Sequence, residues 1–289
     1  MRKKYSVLLV LLVLVGLYFG AKVYLTGLCR KEADATIARL APYAAVRYDG
    51  ISFNVFTMHT TLSDVTIATP GASESLRVQE LVVNDVDRHA QFPQYLSVTL
   101  KGIAVDLREG SELAKNFKKL GYKDKIFYDV NVDYIYDNQK RELFIKKLAV
   151  QAKDVGRLAL ELHLGNIGFD QTQLLTLLFT YPSVLLYDGK IQYVDDSLAS
   201  RIMADQAKDS HQDIASYKKS IIASMKEQAG DKNDPYIREA TTSLEKFINT
   251  PDTFSISVAP EQPQPIGRLL RLQHPAALLR LLRLHFSAS

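Results

Sequence analysis

Apolar residues are distributed along this chain in three distinct regimes. Residues 5–28 are apolar at almost every position, with Lys22 the one charge inside them and Arg2, Lys3 and Lys4 ahead of them. As a helix rising about 1.5 Å per residue, this stretch reaches roughly 36 Å, enough to cross a hydrocarbon core of about 30 Å. The pattern predicts an uncleaved signal-anchor. Phe19 or Tyr18 would occupy the −3 position of the nearest cleavage sites, where a small residue is required, and Leu28 precedes Cys29 where a lipoprotein signal needs a small residue. The basic tail of residues 1–4 favours a cytoplasmic N-terminus, although Lys22, Arg30, Lys31 and Arg39 nearly balance it from the other side.

A short juxtamembrane helix is expected over residues 29–45, from the helical spacing of Ala33, Ile37, Leu40 and Ala41 and the proline at 42. The period then changes to two. Tyr48, Ile51, Phe53 and Val55, then Leu62, Val65 and Ile67, read as strands, and Pro70-Gly71 as a turn. Leu96, Val98 and Leu100 alternate, and the alternation resumes out of phase at Ile103, Val105 and Leu107. Gly102 at the phase shift marks a β-bulge. A helix capped by Ser111 and stopped by Gly121 follows.

The clearest strands lie over residues 126–136, 143–152 and 158–164, joined by short turns. That is the pattern of an antiparallel meander, apolar on one face and polar on the other. Helices are expected to cover the apolar face. One falls over 171–180, one is capped by Asp195 or Asp196 and runs through Ala207, one carries Ile214, Tyr217, Ile221 and Met225, and one begins at Asp234-Pro235. Phe254, Ile256 and Val258 return to strand, and a Leu/Arg helix near Pro275 precedes a last alternation through Leu282, Leu284, Phe286 and Ala288. The expected fold class is α+β: an N-terminal transmembrane helix, then a β-rich antiparallel-sheet exodomain covered by helices. In residue numbers this gives a basic tail at 1–4, an anchor at 5–28, a juxtamembrane helix at 29–45 and an α+β domain at 46–289, with a subdivision near 110–125.

Composition is that of a folded chain, 24 % charged and 47 % hydrophobic. One cysteine excludes an internal disulfide framework. The net charge of +4 resides in Arg268, Arg271, Arg280 and Arg283, because residues 1–261 are formally neutral and no acidic residue follows Glu261. Such a balance, without a basic motif interleaved with aromatics, excludes a nucleic-acid partner.

A basic tail and apolar helix ending in Tyr24-Leu25-Thr26-Gly27, followed by Tyr48-Asp49-Gly50-Ile51-Ser52 and Leu62-Ser63-Asp64-Val65-Thr66-Ile67, resembles the opening of inner-membrane-anchored bacterial proteins of the AsmA and YdgA kind. Tyr134-Ile135-Tyr136-Asp137, Gly156-Arg157-Leu158-Ala159-Leu160 and Ile256-Ser257-Val258-Ala259-Pro260 carry the similarity onward. The resemblance implies a single-pass protein of the bacterial inner membrane with a periplasmic, β-rich body. For AsmA-like proteins it also implies envelope lipid handling. It supplies no catalytic residue.

The residues themselves give no catalytic, cofactor or metal motif. His59, His89, His163, His211, His274 and His285 lie at no ligand spacing, and His163 and His285 fall on polar strand faces where solvated surface is expected. Asp188, Asp195 and Asp196 lack the alternation and glycine of a calcium loop. Gly189-Lys190 lacks the upstream glycine of a phosphate loop, no serine sits in a G-x-S-x-G elbow, and Cys29 has no histidine near it in sequence. No cofactor is expected.

Two surfaces remain. Arg268/Arg271 and Arg280/Arg283 are each spaced to share a helical face, which suits contact with anionic lipid headgroups and equally suits a terminal helix docked with its arginines outward. Tyr128, Tyr134 and Tyr136 form a stripe that would line an apolar groove or pack across strands. The functional expectation is a membrane-anchored, non-enzymatic structural or binding module involved in envelope lipid handling, with the lipid bilayer and envelope lipids or proteins as partners. The alternatives are a protein–protein scaffold of an envelope assembly and a tethered hydrolase with an unfamiliar site.

Overall fold

The structure is a computed structural model that describes residues 2–41, 44–68, 75–87, 93–108, 112–123, 125–168, 181–229, 233–272 and 274–289, with backbone alone for 2–16, 39, 40, 113 and 275. The chain divides into two compact units. The first comprises Met1–Asp85 with Val98–Ala104, the second Val86–Ser97 with Val105–Ser289.

The first unit opens with helix α1 (Arg2–Leu40), which is continuous over 39 residues. Strands β1 (Ala45–Arg47) and β2 (Gly50–Asn54) both pair antiparallel with one edge of β3 (His59–Ala68). β3 pairs on its other edge with β4 (Leu76–Val86), and β5 (Tyr95–Asp106) follows β4 in the sheet. Val65 and Val78 face each other across β3 and β4 at 1 % exposure each, and Phe53, Leu62, Val82 and Ile103 complete this core. Gly102 lies in β5 at φ +66, and a Cβ there would come within 2.4 Å of the Gln79 side chain. Glycine takes this left-handed backbone without a Cβ penalty, and a larger residue would also have to displace the Gln79 side chain.

Among the described residues no helix is long and apolar enough to cross a membrane. This overturns the expected N-terminal transmembrane signal-anchor, and with it the single-pass inner-membrane placement. The physical reason lies in what α1 touches. Tyr18 stacks on Phe56 at 5.3 Å, buried Cys29 accepts a hydrogen bond from Thr60 Oγ1 at 3.4 Å, and Tyr48 donates its hydroxyl to Asp34 at 2.6 Å. From Tyr18 onward one side of α1 is therefore committed to the β2–β3 hairpin. The apolar stretch ahead of it, residues 5–17, would span only about 20 Å as helix, short of a bilayer core of about 30 Å. The separate helix expected over 29–45 is the last part of α1, which runs through Arg30, Lys31, Glu32 and Asp34 without a break.

The second unit is built on an antiparallel meander in the order β6 (Lys125–Asp137), β7 (Glu142–Ala152), β8 (Gly156–Gly165), β9 (Leu185–Asp195), β10 (Thr253–Val258) and β12 (His285–Ala288), with β11 (Gln264–Pro265) also on β9. Helix α2 (Glu112–Lys119) closes one end, where Leu107 and Ala114 are fully buried with Tyr122, Ile126 and Val155. Helices α3 (Leu198–Asp209), α4 (Ile214–Gln228) and α5 (Pro235–Asn249) follow β9, and short helices α6 (Ile266–Leu269) and α7 (Pro275–Leu282) precede the last strand.

The helix starts show local chemistry at work. Asp234 Oδ1 accepts the N–H groups of Tyr236 and Ile237 ahead of Pro235, the expected cap. Asp195 takes the Ala199 N–H at 2.7 Å and the Tyr193 hydroxyl at 2.6 Å, although Ser197 holds the cap position of α3. Burial, and then donation to Asp195, raises the Tyr193 phenol above its ordinary pKa. The terminal alternation expected from Leu282 begins three residues later, because Leu282 closes α7 and Arg283 turns the chain at φ +46. The helix expected over 171–180, the Ser111 cap and the Pro70-Gly71 turn lie outside the described residues.

Candidate functional site

Strand register sorts the second unit's sheet into two faces. On one, paired residues form the rows Val130–Val150–Leu158–Tyr193–Phe254 and Val132–Leu148–Leu160–Ile191–Ile256–Phe286. The bulge on β7, where the register shifts between Ile145 and Leu148, keeps both halves of the strand in phase with this face. The adjacent row is Tyr134–Ile145–Leu162–Gly189–Val258. A residue at Gly189 would put its Cβ 2.9 Å from Leu162, so the strands close over that position without a side chain.

Helix α5 covers one end of this face. Phe247 meets the Tyr193 ring at 6.0 Å and the Phe254 ring at 5.6 Å. The cover does not reach across. Leu158 is 50 % exposed, Ile191 46 %, Val150 40 % and Leu148 36 %. Among the described residues the helices shield this face over β10 and β12 and not over β7 and β8, and the helix expected over 171–180 lies outside them. Four neighbouring aliphatic side chains with no hydrogen-bonding group are left facing outward.

The expected aromatic stripe lies on this same face, though not as an open groove lining. Tyr136 is buried and donates its hydroxyl to the Ile167 carbonyl at 2.9 Å. Tyr134 is half-buried and donates to the Pro93 carbonyl at 3.2 Å, and burial, followed by the charge of Asp87, raises its pKa. Tyr128 is half-buried opposite Ala152, and burial raises its pKa too. The tyrosines flank the aliphatic patch as packing residues. The missed residues are Leu148, Val150, Leu158 and Ile191. Their alternation was legible, but their exposure depends on where the helices dock.

The opposite face carries a stack that spacing did not reveal. The His163 ring lies between Phe144 at 4.0 Å and Tyr187 at 4.3 Å, nearly parallel to both. Nδ1 is 3.3 Å from Asp188 and Nε2 is 3.3 Å from Glu142, and only 18 % of the side chain is exposed. His163 is therefore an enclosed residue and not the solvated one expected. Its two carboxylates engage opposite ring nitrogens, so they flank the imidazole and do not converge on one point. Among the described residues no group of three or more His, Cys, Asp or Glu side chains is arranged to hold a metal ion.

The four arginines do not form one basic stripe. Arg268, in α6, donates to Gln264 at 3.0 Å, and Arg271 donates to the Gly267 carbonyl at 2.9 Å. Arg280, in α7, pairs with Asp234, whereas Arg283 has left the helix and meets Glu261. The left-handed turn at Arg283 removes the shared face expected for Arg280 and Arg283.

A family model described as an uncharacterized protein matches residues 149–289, the stretch from late β7 to the last strand. No curated protein matches the chain.

Proposed function

We propose that the chain is a non-catalytic binding module that receives acyl chains on the open aliphatic face of β7, β8 and β9. The observation that supports this reading is the exposure of Leu148, Val150, Leu158 and Ile191 as one patch on one sheet face. Contiguous exposed apolar surface marks an interaction site more often than scattered apolar residues do. With strands about 4.8 Å apart and same-face residues about 6.8 Å apart, the two rows of this patch on β7, β8 and β9 span roughly 200 Å². A stable protein interface needs about 800 Å² per partner, so the patch is too small to hold a second copy by itself. It suits a hydrocarbon chain, which asks only for aliphatic contact and offers no polar group to satisfy.

The test is to purify the full chain, extract it with organic solvent and identify co-purified acyl lipids by mass spectrometry. The Leu158→Asp/Ile191→Asp double variant should lose that lipid. Both positions are about half exposed, so its thermal midpoint should stay within a few degrees of the parent. A parent free of lipid that also fails to take up a fluorescent acyl-chain probe would defeat the reading, as would a double variant that keeps its lipid. A lipid-free parent with a stable crosslinked protein partner would move the assignment to a scaffold.

A further inference from the structure

The second unit also carries a groove that shares no residue with the exposed aliphatic patch. Helices α4, α5 and α7 line an open groove of about 950 Å³, with Ile221, Met225, Ile237, Leu244 and Leu279 among its walls. This is the size and lining of a small-molecule site. The hydroxyls along it are engaged within their own helices. Ser220 donates to the Tyr217 carbonyl, Thr241 to the Ile237 carbonyl, and Ser224 accepts from Gln228. The groove therefore presents a mostly apolar wall.

Its titratable lining residues are Asp234, His274 and Arg280. The Asp234 side chain is 1 % exposed, with Oδ1 taken by backbone N–H groups and Oδ2 by Arg280. Arg280 gives only Nε and Nη2 to that oxygen. Its side chain is 61 % exposed, and among the described residues Nη1 has no protein partner. The charge accessible from the groove is thus cationic, held in a fixed orientation by a buried carboxylate that is not itself accessible.

We propose that this groove is a site for a free medium-chain carboxylate, with the hydrocarbon along α4 and α5 and the carboxylate on the open edge of Arg280. The lining of α4 from Ser220 to Gln228 extends about 12 Å, which matches a medium-chain acid and falls short of a long acyl chain. Guanidinium accepts a carboxylate in a planar, directional pair, so an alcohol of the same chain length is the discriminating comparison. The site does not depend on the sheet-face reading, since no residue is shared between them.

Octanoate and octan-1-ol, titrated calorimetrically into the full chain, test the proposal. Octanoate should bind saturably and at least about tenfold more tightly than octanol, because only the acid forms charged hydrogen bonds. Arg280→Gln should remove that discrimination. Ser224→Phe and Ala276→Leu fill the groove without touching the ion pair, and each should abolish octanoate binding while leaving the thermal midpoint close to the parent's. Leu158→Asp should leave octanoate binding unchanged. Equal affinity of the parent for acid and alcohol would overturn the proposal. So would octanoate binding that survives both groove-filling variants, a result that stays decisive even if Arg280→Gln fails to fold.

Discussion

Arg280 sends Nε and Nη2 to a single carboxylate oxygen of Asp234, at 2.8 and 2.6 Å, and so ties the last helix of the chain to the first turn of α5. Asp234 is at once a helix cap and the buried half of an ion pair. Burial works against its charge, but the Arg280 hydrogen bond and the N–H groups of Tyr236 and Ile237 outweigh it and hold the carboxyl below its ordinary pKa. A lowered pKa contributes stability above the unfolded value of about 4 and loses it as the pH falls through the folded value. Asp234→Asn should therefore lower the melting midpoint at neutral pH by roughly 5 °C. The gap to the parent should close as the pH drops below about 4. Thermal melts across that range check both parts, and a gap independent of pH would show that capping alone matters.

Three side chains of α5 satisfy the outer edge of the last strand. Glu239 accepts the Phe286 N–H at 2.8 Å, Ser243 donates to the Phe286 carbonyl at 3.0 Å, and Lys246 donates to the Ala288 carbonyl at 2.8 Å. Their spacing along the helix places them on one stripe, and they act as a substitute strand. Glu239→Ala should cost about 1 kcal/mol. It should also raise concentration-dependent self-association measured by light scattering, because an unsatisfied edge invites pairing with another chain. Destabilisation without association would separate the two roles.

Gly156 begins β8 at φ +154, and a Cβ there would sit 2.7 Å from the Val194 carbonyl and 3.1 Å from the Tyr193 hydroxyl. Backbone cannot swing aside as a flexible side chain does. Gly156→Ala should cost at least about 2 kcal/mol in denaturant unfolding. The loss should show as a lower midpoint at unchanged slope.

His163 between Phe144 and Tyr187 should contribute through ring contact as much as through its carboxylates. A double-mutant cycle of Phe144→Leu and His163→Leu should return a coupling of about 0.5–1.5 kcal/mol. A value near zero would mean that the rings are neighbours without mutual stabilisation.

Cys29 is the single thiol and is buried where α1 meets β3, within reach of Thr60. Thiol-reactive reagents should label it slowly in the folded protein and quickly in denaturant. Phe56→Ala removes the ring that stacks on Tyr18 and should speed native labelling several-fold by loosening α1 from the hairpin. Labelling at the denatured rate in the native parent would show that α1 is not docked.

Local physics made much of this protein legible in advance. Alternation along 126–136, 143–152 and 158–164 gave β6, β7 and β8 nearly to the residue, because a pleated strand places every second side chain on one face. Asp234-Pro235 announced the start of α5, since capping is decided by a few adjacent atoms, and Gly102, read as a β-bulge, takes a left-handed φ in β5. Contacts between segments distant in sequence decided the rest. Residues 18–34 read as part of an anchor and a separate helix until Phe56, Thr60 and Tyr48 were seen against them. Arg280 and Arg283 read as one face until the turn at Arg283 and the distant carboxylates Asp234 and Glu261 separated them. The helices carry apolar stripes, yet α5 docks over β9, β10 and β12, while Leu158 and Ile191 stay about half exposed. Periodicity determines which side of a strand is apolar; whether another element comes to lie on that side depends on docking geometry, which no local pattern encodes.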